Sequence, residues 1–251
     1  MSTVEASGSG AGLPVAADLI GDGRLSRGAV AWAVFEGARI PYVILITIYI
    51  FMPYVAATMV GDPVKGQEII SRWSQYSGWV IMATAPFLGA SIDRLGRRKT
   101  WLALATMLMI PMMWSLWWAK PDGSGMSVGM VMLLTTLIGI LFTYSEVLHN
   151  SLLVRAAGLA AAHKASGLAL ALGNAFALLT LGFTAWAFAL AGSGLPFTPD
   201  APLFGLDRIQ HEPERIVAPM AAITFALGAI PLFLFTPDAP KVRFPPPISA
   251  S

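Results

Sequence analysis

The chain contains no cysteine, which rules out disulfide bridges, thiolate metal ligands and cysteine nucleophiles at once. Charge is scarce too: Asp, Glu, Lys and Arg make up 12% of the 251 residues, about half of what a soluble domain carries. The formal net charge of +2 is too small for a nucleic-acid footprint, and no nucleic-acid partner is expected. The three histidines, His149, His163 and His211, are scattered and form no nucleophile–base constellation, so an enzyme is not expected. Glu146-x-x-His149 is half of a di-iron helix motif, but no second Glu-x-x-His accompanies it, so no metal is expected. No Gly-x-x-x-x-Gly-Lys loop is present to cradle a nucleotide phosphate, and no cofactor is expected. The first residues lack a basic stretch ahead of an apolar run, so residues 1–26 read as a disordered cytoplasmic tail and not as a cleavable signal.

Hydrophobic residues make up 56% of the chain and gather into six long runs. Crossing about 30 Å of hydrocarbon takes roughly 20 helical residues. The first run is uncharged from Ile40 to Gly61, with a helical approach from Arg27 that carries Glu36 and Arg39. The others are Trp73 to Ile92, Thr100 to Ala119, Met126 to His149, Ala165 to Leu190 and Ile216 to Phe235. They do not alternate, so a barrel is excluded, and helices satisfy the backbone that lipid cannot. An all-α membrane protein follows, its transmembrane domain at 27–237 and a tail at 238–251. Ten Lys and Arg fall in the loops on the side of the termini and five in the others, so both termini are expected in the cytoplasm. A multi-pass position in the plasma (inner) membrane is the expected location. Trp73, Trp101, Trp117 and Trp118 fall near span ends, where an interfacial belt would lie.

Between the second and third runs stands Gly89-Ala-Ser-Ile-Asp93-Arg94-Leu-Gly96-Arg97-Arg98-Lys99. Gly89 permits close helix approach, Gly96 a left-handed turn, and Asp93 can pair with the surrounding cations. As a plain anchor the segment needs only positive charge. Its spacing, G-x-x-x-D-R-x-G-R-R-K between spans two and three, resembles the signature loop of the major facilitator superfamily. Ala31-Trp32-Ala33-Val34-Phe35-Glu36-Gly37-Ala38-Arg39 with Pro41-Tyr42, His149-Asn150-Ser151-Leu152-Leu153, and Ser166-Gly167 through Asn174 further resemble its vacuole-effluxer-like branch. Fungal autophagy-related members of that branch export amino acids from the vacuole.

The resemblance implies the N-terminal six-helix half of a major facilitator fold, built of two three-helix inverted repeats. It implies alternating-access transport of a small solute, with amino acids as the family-level class. It also implies a missing second half, supplied by another six-helix chain or by a second copy. Pro237-Asp238-Ala239-Pro240 onward resembles the start of the central linker. A non-transporting scaffold and a truncated, inactive remnant are the alternatives. The arginine usual within the family's fourth span is absent, Arg155 lying at or beyond that span's end.

Ionisable groups at membrane depth are the functional candidates. Glu36 and Arg39 lie three apart and can pair, and Pro41 is expected to kink the span beside them; they belong either to a cavity wall or to the cytoplasmic headgroup region, since uncharged sequence begins only at Ile40. Glu146, His149 and Asn150 are spaced to share one helical face, which either hydrogen-bonds a neighbouring helix near the cytoplasmic end or, as the resemblance implies, lines the cavity with Glu146 as proton carrier. Asn174 is a candidate cavity ligand, set in a stripe of small residues (Gly167, Ala169, Gly173, Ala177) that equally serves packing. Gly89, Asp93, Arg94, Gly96, Arg97 and Arg98 are the gating candidates.

Overall fold

The computed structural model describes residues 22–95 and 97–238, with side chains for all of them but 88 and 90–95. Seven helices carry the fold, and no strand occurs among the described residues. They are α1 (Arg27–Met59), α2 (Pro63–Leu95), α3 (Arg98–Trp118), α4 (Val128–Asn150), the short α5 (Leu153–Ala157), α6 (Leu159–Ala189) and α7 (Glu212–Phe235). Five of them, α1, α3, α4, α6 and α7, are long and apolar enough to cross a bilayer, which marks a helical membrane protein of several passes. The expected second span lies in α2. Ser74, Gln75, Tyr76, Ser77 and Gly78 dilute its apolar stretch, and it does not rank with the other five by composition.

The core forms around α1, which packs against α6 and α7 along its first half and against α2 at its far end. Lipid gives helices no hydrophobic reason to associate, so close contact must come from small side chains. Gly37 of α1 lies against Leu172 and Phe176 of α6, where an added Cβ would come within 3.1 Å of both. Gly228 of α7 lies so near Ala38 that an added Cβ would overlap it. Phe35, Leu45, Ile46, Phe51 and Phe225 fill the seams and are fully buried. Leu178, Leu179, Leu227 and Leu234 stand outward, as a lipid-facing surface requires.

α1 begins at Ser26, whose hydroxyl accepts from the Ala29 N–H (3.0 Å) and donates to the Ala156 carbonyl (2.6 Å), fixing the helix start to α5. The kink expected at Pro41 takes a particular form. The α-helix ends there and continues as an eight-residue π-helix, Tyr42–Tyr49, with a second π stretch at Val55–Met59. Proline leaves a carbonyl one turn back without its N–H, and the β-branched Val43, Ile44, Ile46, Thr47 and Ile48 resist tight α packing.

Basic side chains close the helix ends. Arg98 donates to the Ser151 carbonyl (3.0 Å) just past α4, and Lys99 Nζ to the Thr236 carbonyl (2.8 Å) just past α7. At the opposite end Arg208 donates to the Phe188 and Ala191 carbonyls that finish α6. Arg215 donates to the Trp117 carbonyl (2.8 Å) at the end of α3 and stacks over the Trp117 ring. Each cation meets the negative end of a helix dipole.

Candidate functional site

Where α1 crosses α4, two aromatic rings lie flat on each other. Trp32 and His149 stack with centroids 4.5 Å apart and planes 7° from parallel. The Trp32 indole N–H donates to the His149 carbonyl (2.8 Å), and His149 Nε2 lies 3.0 Å from the Trp32 carbonyl. His149 is fully buried, with Phe35 against its other side. One residue of each helix thus binds the backbone of the other.

Glu36 and Arg39, one turn further along α1, complete the cluster. Arg39 is 1% exposed, and its Nη1 donates to Glu36 Oε2 (2.8 Å). Its Nη2 donates to the Phe142 carbonyl of α4 (3.2 Å) and lies 3.7 Å from Glu146 Oε2. The guanidinium carbon sits 4.3 Å above the Phe142 ring. His149 Nδ1 is 3.2 Å from the same Glu36 oxygen. Arg39 Nε and His149 Nδ1 are both buried without a hydrogen bond among the described residues. Buried polar atoms without partners are uncommon, so the cluster is incompletely satisfied as it stands.

Hydrogen counting limits the protonation of this cluster. A carbonyl only accepts, so the Nε2 that faces Trp32 carries the imidazole hydrogen. A neutral ring then turns the Nδ1 lone pair toward a carboxylate oxygen, which is repulsive. The contact becomes favourable when one more proton lies between His149 Nδ1 and Glu36, whichever of the two holds it.

A groove of about 450 Å³ opens beside the cluster between α1, α4 and α6. Trp32, Glu36, Asn150, Ser166 and Asn174 line it, over a floor of Ile40, Ala169 and Gly173. Glu36, Asn150 and Asn174, three candidates from three separate spans, therefore share one opening. The expected face of Glu146, His149 and Asn150 is divided: His149 points into α1, Asn150 into the groove, and Glu146 is half exposed beside Arg39. In the small-residue stripe Gly173 packs on Ile40 and Gly167 packs on nothing, while Asn174 beside it faces the opening.

Of the gating candidates, Gly89 lies within α2 and Arg97 immediately precedes α3. Arg98 holds the end of α4 as described, and Lys99, not among the candidates, holds the end of α7. Gly96 and the side chains of Asp93 and Arg94 lie outside what the structure describes, as do residues 1–21 and 239–251 of the two expected tails. Among the described residues no three His, Asp or Glu side chains converge as metal ligands would.

Sequence reasoning named Trp32 only as part of a motif and did not name Phe142, although both shape the cluster. It also passed over a second opening, lined by Tyr42, Thr47, Ser74, Ser77, Thr135 and Thr136. The signal for that opening was the polar run Ser74 to Gly78 inside an expected membrane span. Set against known proteins, the chain matches no family model, no curated protein and no solved structure.

Proposed function

We propose that the chain is one half of a secondary transporter of the major facilitator type, moving a small solute by alternating access and coupling it to a proton. On this reading α2 is the sixth span, its polar residues facing the transport path and not lipid. The observation that carries the reading is the buried Glu36–Arg39–His149 cluster behind the groove of Glu36, Asn150 and Asn174. Charged groups at this depth are costly to keep, and a proton shared by Glu36 and His149 gives them work to do. The coupling proton is assigned to that pair in place of Glu146, which is half exposed.

The polar groups that line the groove cannot be satisfied by hydrocarbon. A second six-helix half or a second copy of this one covers them and forms the opposite wall. Arg98 and Lys99 hold the ends of α4 and α7 against the start of α3, so a movement of α3 is felt by both. The resemblance of the Gly89 to Lys99 loop adds gating by Asp93, Arg94 and Arg97, with amino acids as the branch-level substrate class.

The test is proton flux in proteoliposomes loaded with a pH-sensitive dye. External alanine should drive a pH change with the wild-type chain, and Glu36→Gln should reduce it at least tenfold. A flux unaltered by Glu36→Gln would remove the proton role. The absence of flux with wild-type chain purified together with its native partners would remove the transporter reading itself.

A further inference from the structure

A second opening, of about 180 Å³, lies between α1, α2 and α4, beyond the charged cluster along α1. Its twelve lining residues include no charged side chain. Tyr42, Ile46, Thr47 and Met52 come from α1; Ile70, Trp73, Ser74 and Ser77 from α2; Met132, Thr135, Thr136 and Gly139 from α4. Three elements therefore bring six hydroxyls and two aromatic faces to one place.

The hydroxyls here behave differently from many others in the molecule. A serine or threonine inside a helix ordinarily spends its proton on a carbonyl of the preceding turn. Thr106, Thr143, Ser145, Thr180, Thr184 and Thr224 all do so, at 2.6–3.0 Å. Thr135 does too, which leaves its lone pairs free to accept. Ser74, Ser77 and Thr136 make no such bond among the described residues. The wide π turn of α1 sets Tyr42 and Thr47 in register with each other, five residues apart, on the side that faces them. Gly139 leaves space in the wall: a Cβ there would stand 4.0 Å from both the Ser77 and the Tyr42 hydroxyl oxygens.

We infer that this opening is a binding site for a small uncharged polyol. Each lining hydroxyl both donates and accepts, as the hydroxyls of such a solute do. The rings of Trp73 and Tyr42, with Ile46, Ile70 and Met132, provide apolar surface for its C–H faces. The space equals that of about six waters, which suits a short polyol chain. No charged group in the lining balances the ammonium or carboxylate of an amino acid, and burying either one without a countercharge would be costly.

The inference rests on the transporter reading for what the site is for; occupancy itself requires no transport. The site also adjoins the cluster. Arg39 sits over the Phe142 ring, and Phe142 packs on Tyr42 with centroids 4.9 Å apart.

The test is isothermal titration calorimetry of the full chain in lipid nanodiscs, with xylitol and alanine as probes. Xylitol should bind and alanine should not compete. Ser77→Ala and Thr136→Val, which leave the packing nearly unchanged, should each weaken xylitol by about tenfold, one hydrogen bond's worth. Gly139→Val should fill the space and abolish binding; a thermal melt unchanged from wild type shows that the variant has folded. No heat from xylitol with the wild-type chain, equal binding of alanine, or an affinity indifferent to the Ser77→Ala/Thr136→Val pair would overturn the site. Xylitol binding without any proton-linked flux would leave the site standing and remove the transporter reading. Alanine-driven flux without xylitol binding would do the reverse.

Discussion

Trp32 holds His149 in two ways, and the two can be removed separately. Trp32→Phe keeps an aromatic face on the imidazole and loses only the indole hydrogen bond to the His149 carbonyl, at a cost of about 1 kcal/mol. His149→Ala deletes the stack, removes the Nε2 hydrogen bond to the Trp32 carbonyl and leaves Glu36 one neighbour fewer, at a cost of about 3 kcal/mol. Helical circular dichroism followed through a thermal melt in mild detergent separates them. Equal losses would mean that the ring and its Nε2 contribute nothing beyond the indole bond. The same scale explains what could be read beforehand. Glu36 and Arg39 meet because they are three apart on one helix, which the spacing alone gives. The stack of Trp32 on His149 joins residues 117 apart, and no local pattern encodes it. Nor does spacing decide where a shared face points. His149 and Asn150 are neighbours in sequence, and about 100° of helical rotation sends one into α1 and the other into the groove.

The small residues on the helices divide into those that determine packing and those that do not. Gly228 has Ala38 directly against it, so Gly228→Val should push α7 from α1 and cost about 1–3 kcal/mol. Gly167 has nothing within 4 Å of an added Cβ, so Gly167→Ala should leave the melt unchanged or raise it slightly. A loss from Gly167→Ala as large as that from Gly228→Val would mean that the α1–α7 contact is not what sets the stability. The runs of apolar sequence located α1, α3, α4, α6 and α7 to within a few residues, because twenty uncharged residues in a row leave little else to form. Two features of the elements escaped that reading. The π turns depend on which carbonyl each N–H reaches, which hydropathy does not report. The character of α2 escaped because the run was read for its lack of charge, and the five successive polar or small residues within it set it apart from the other five by composition. Ser74 and Ser77, two of the five, are explained by the opening they line.

At the scale of the whole molecule, the cysteine-free chain lends itself to mapping by single cysteines. Both termini and the loop before α3 belong on one side if the basic residues set the orientation. On intact cells, Thr100→Cys should be protected from a membrane-impermeant maleimide, while Ser124→Cys and Ser193→Cys should be labelled. The inverse pattern would reverse the orientation. Labelling of all three would mean that the chain does not cross an odd number of times between Thr100 and Ser124. The arrangement of α1 has a mechanical consequence of its own. A π turn is an α turn with one residue to spare, so Tyr42–Tyr49 holds slack in the middle of the longest apolar helix. Letting that residue pass along would turn everything beyond it by about 100° about the axis, while Glu36 and Arg39 stayed in place. α1 is then a crankshaft and not a rod: its inner journal is fixed by the stack on His149, and its outer throw carries the hydroxyl-lined wall.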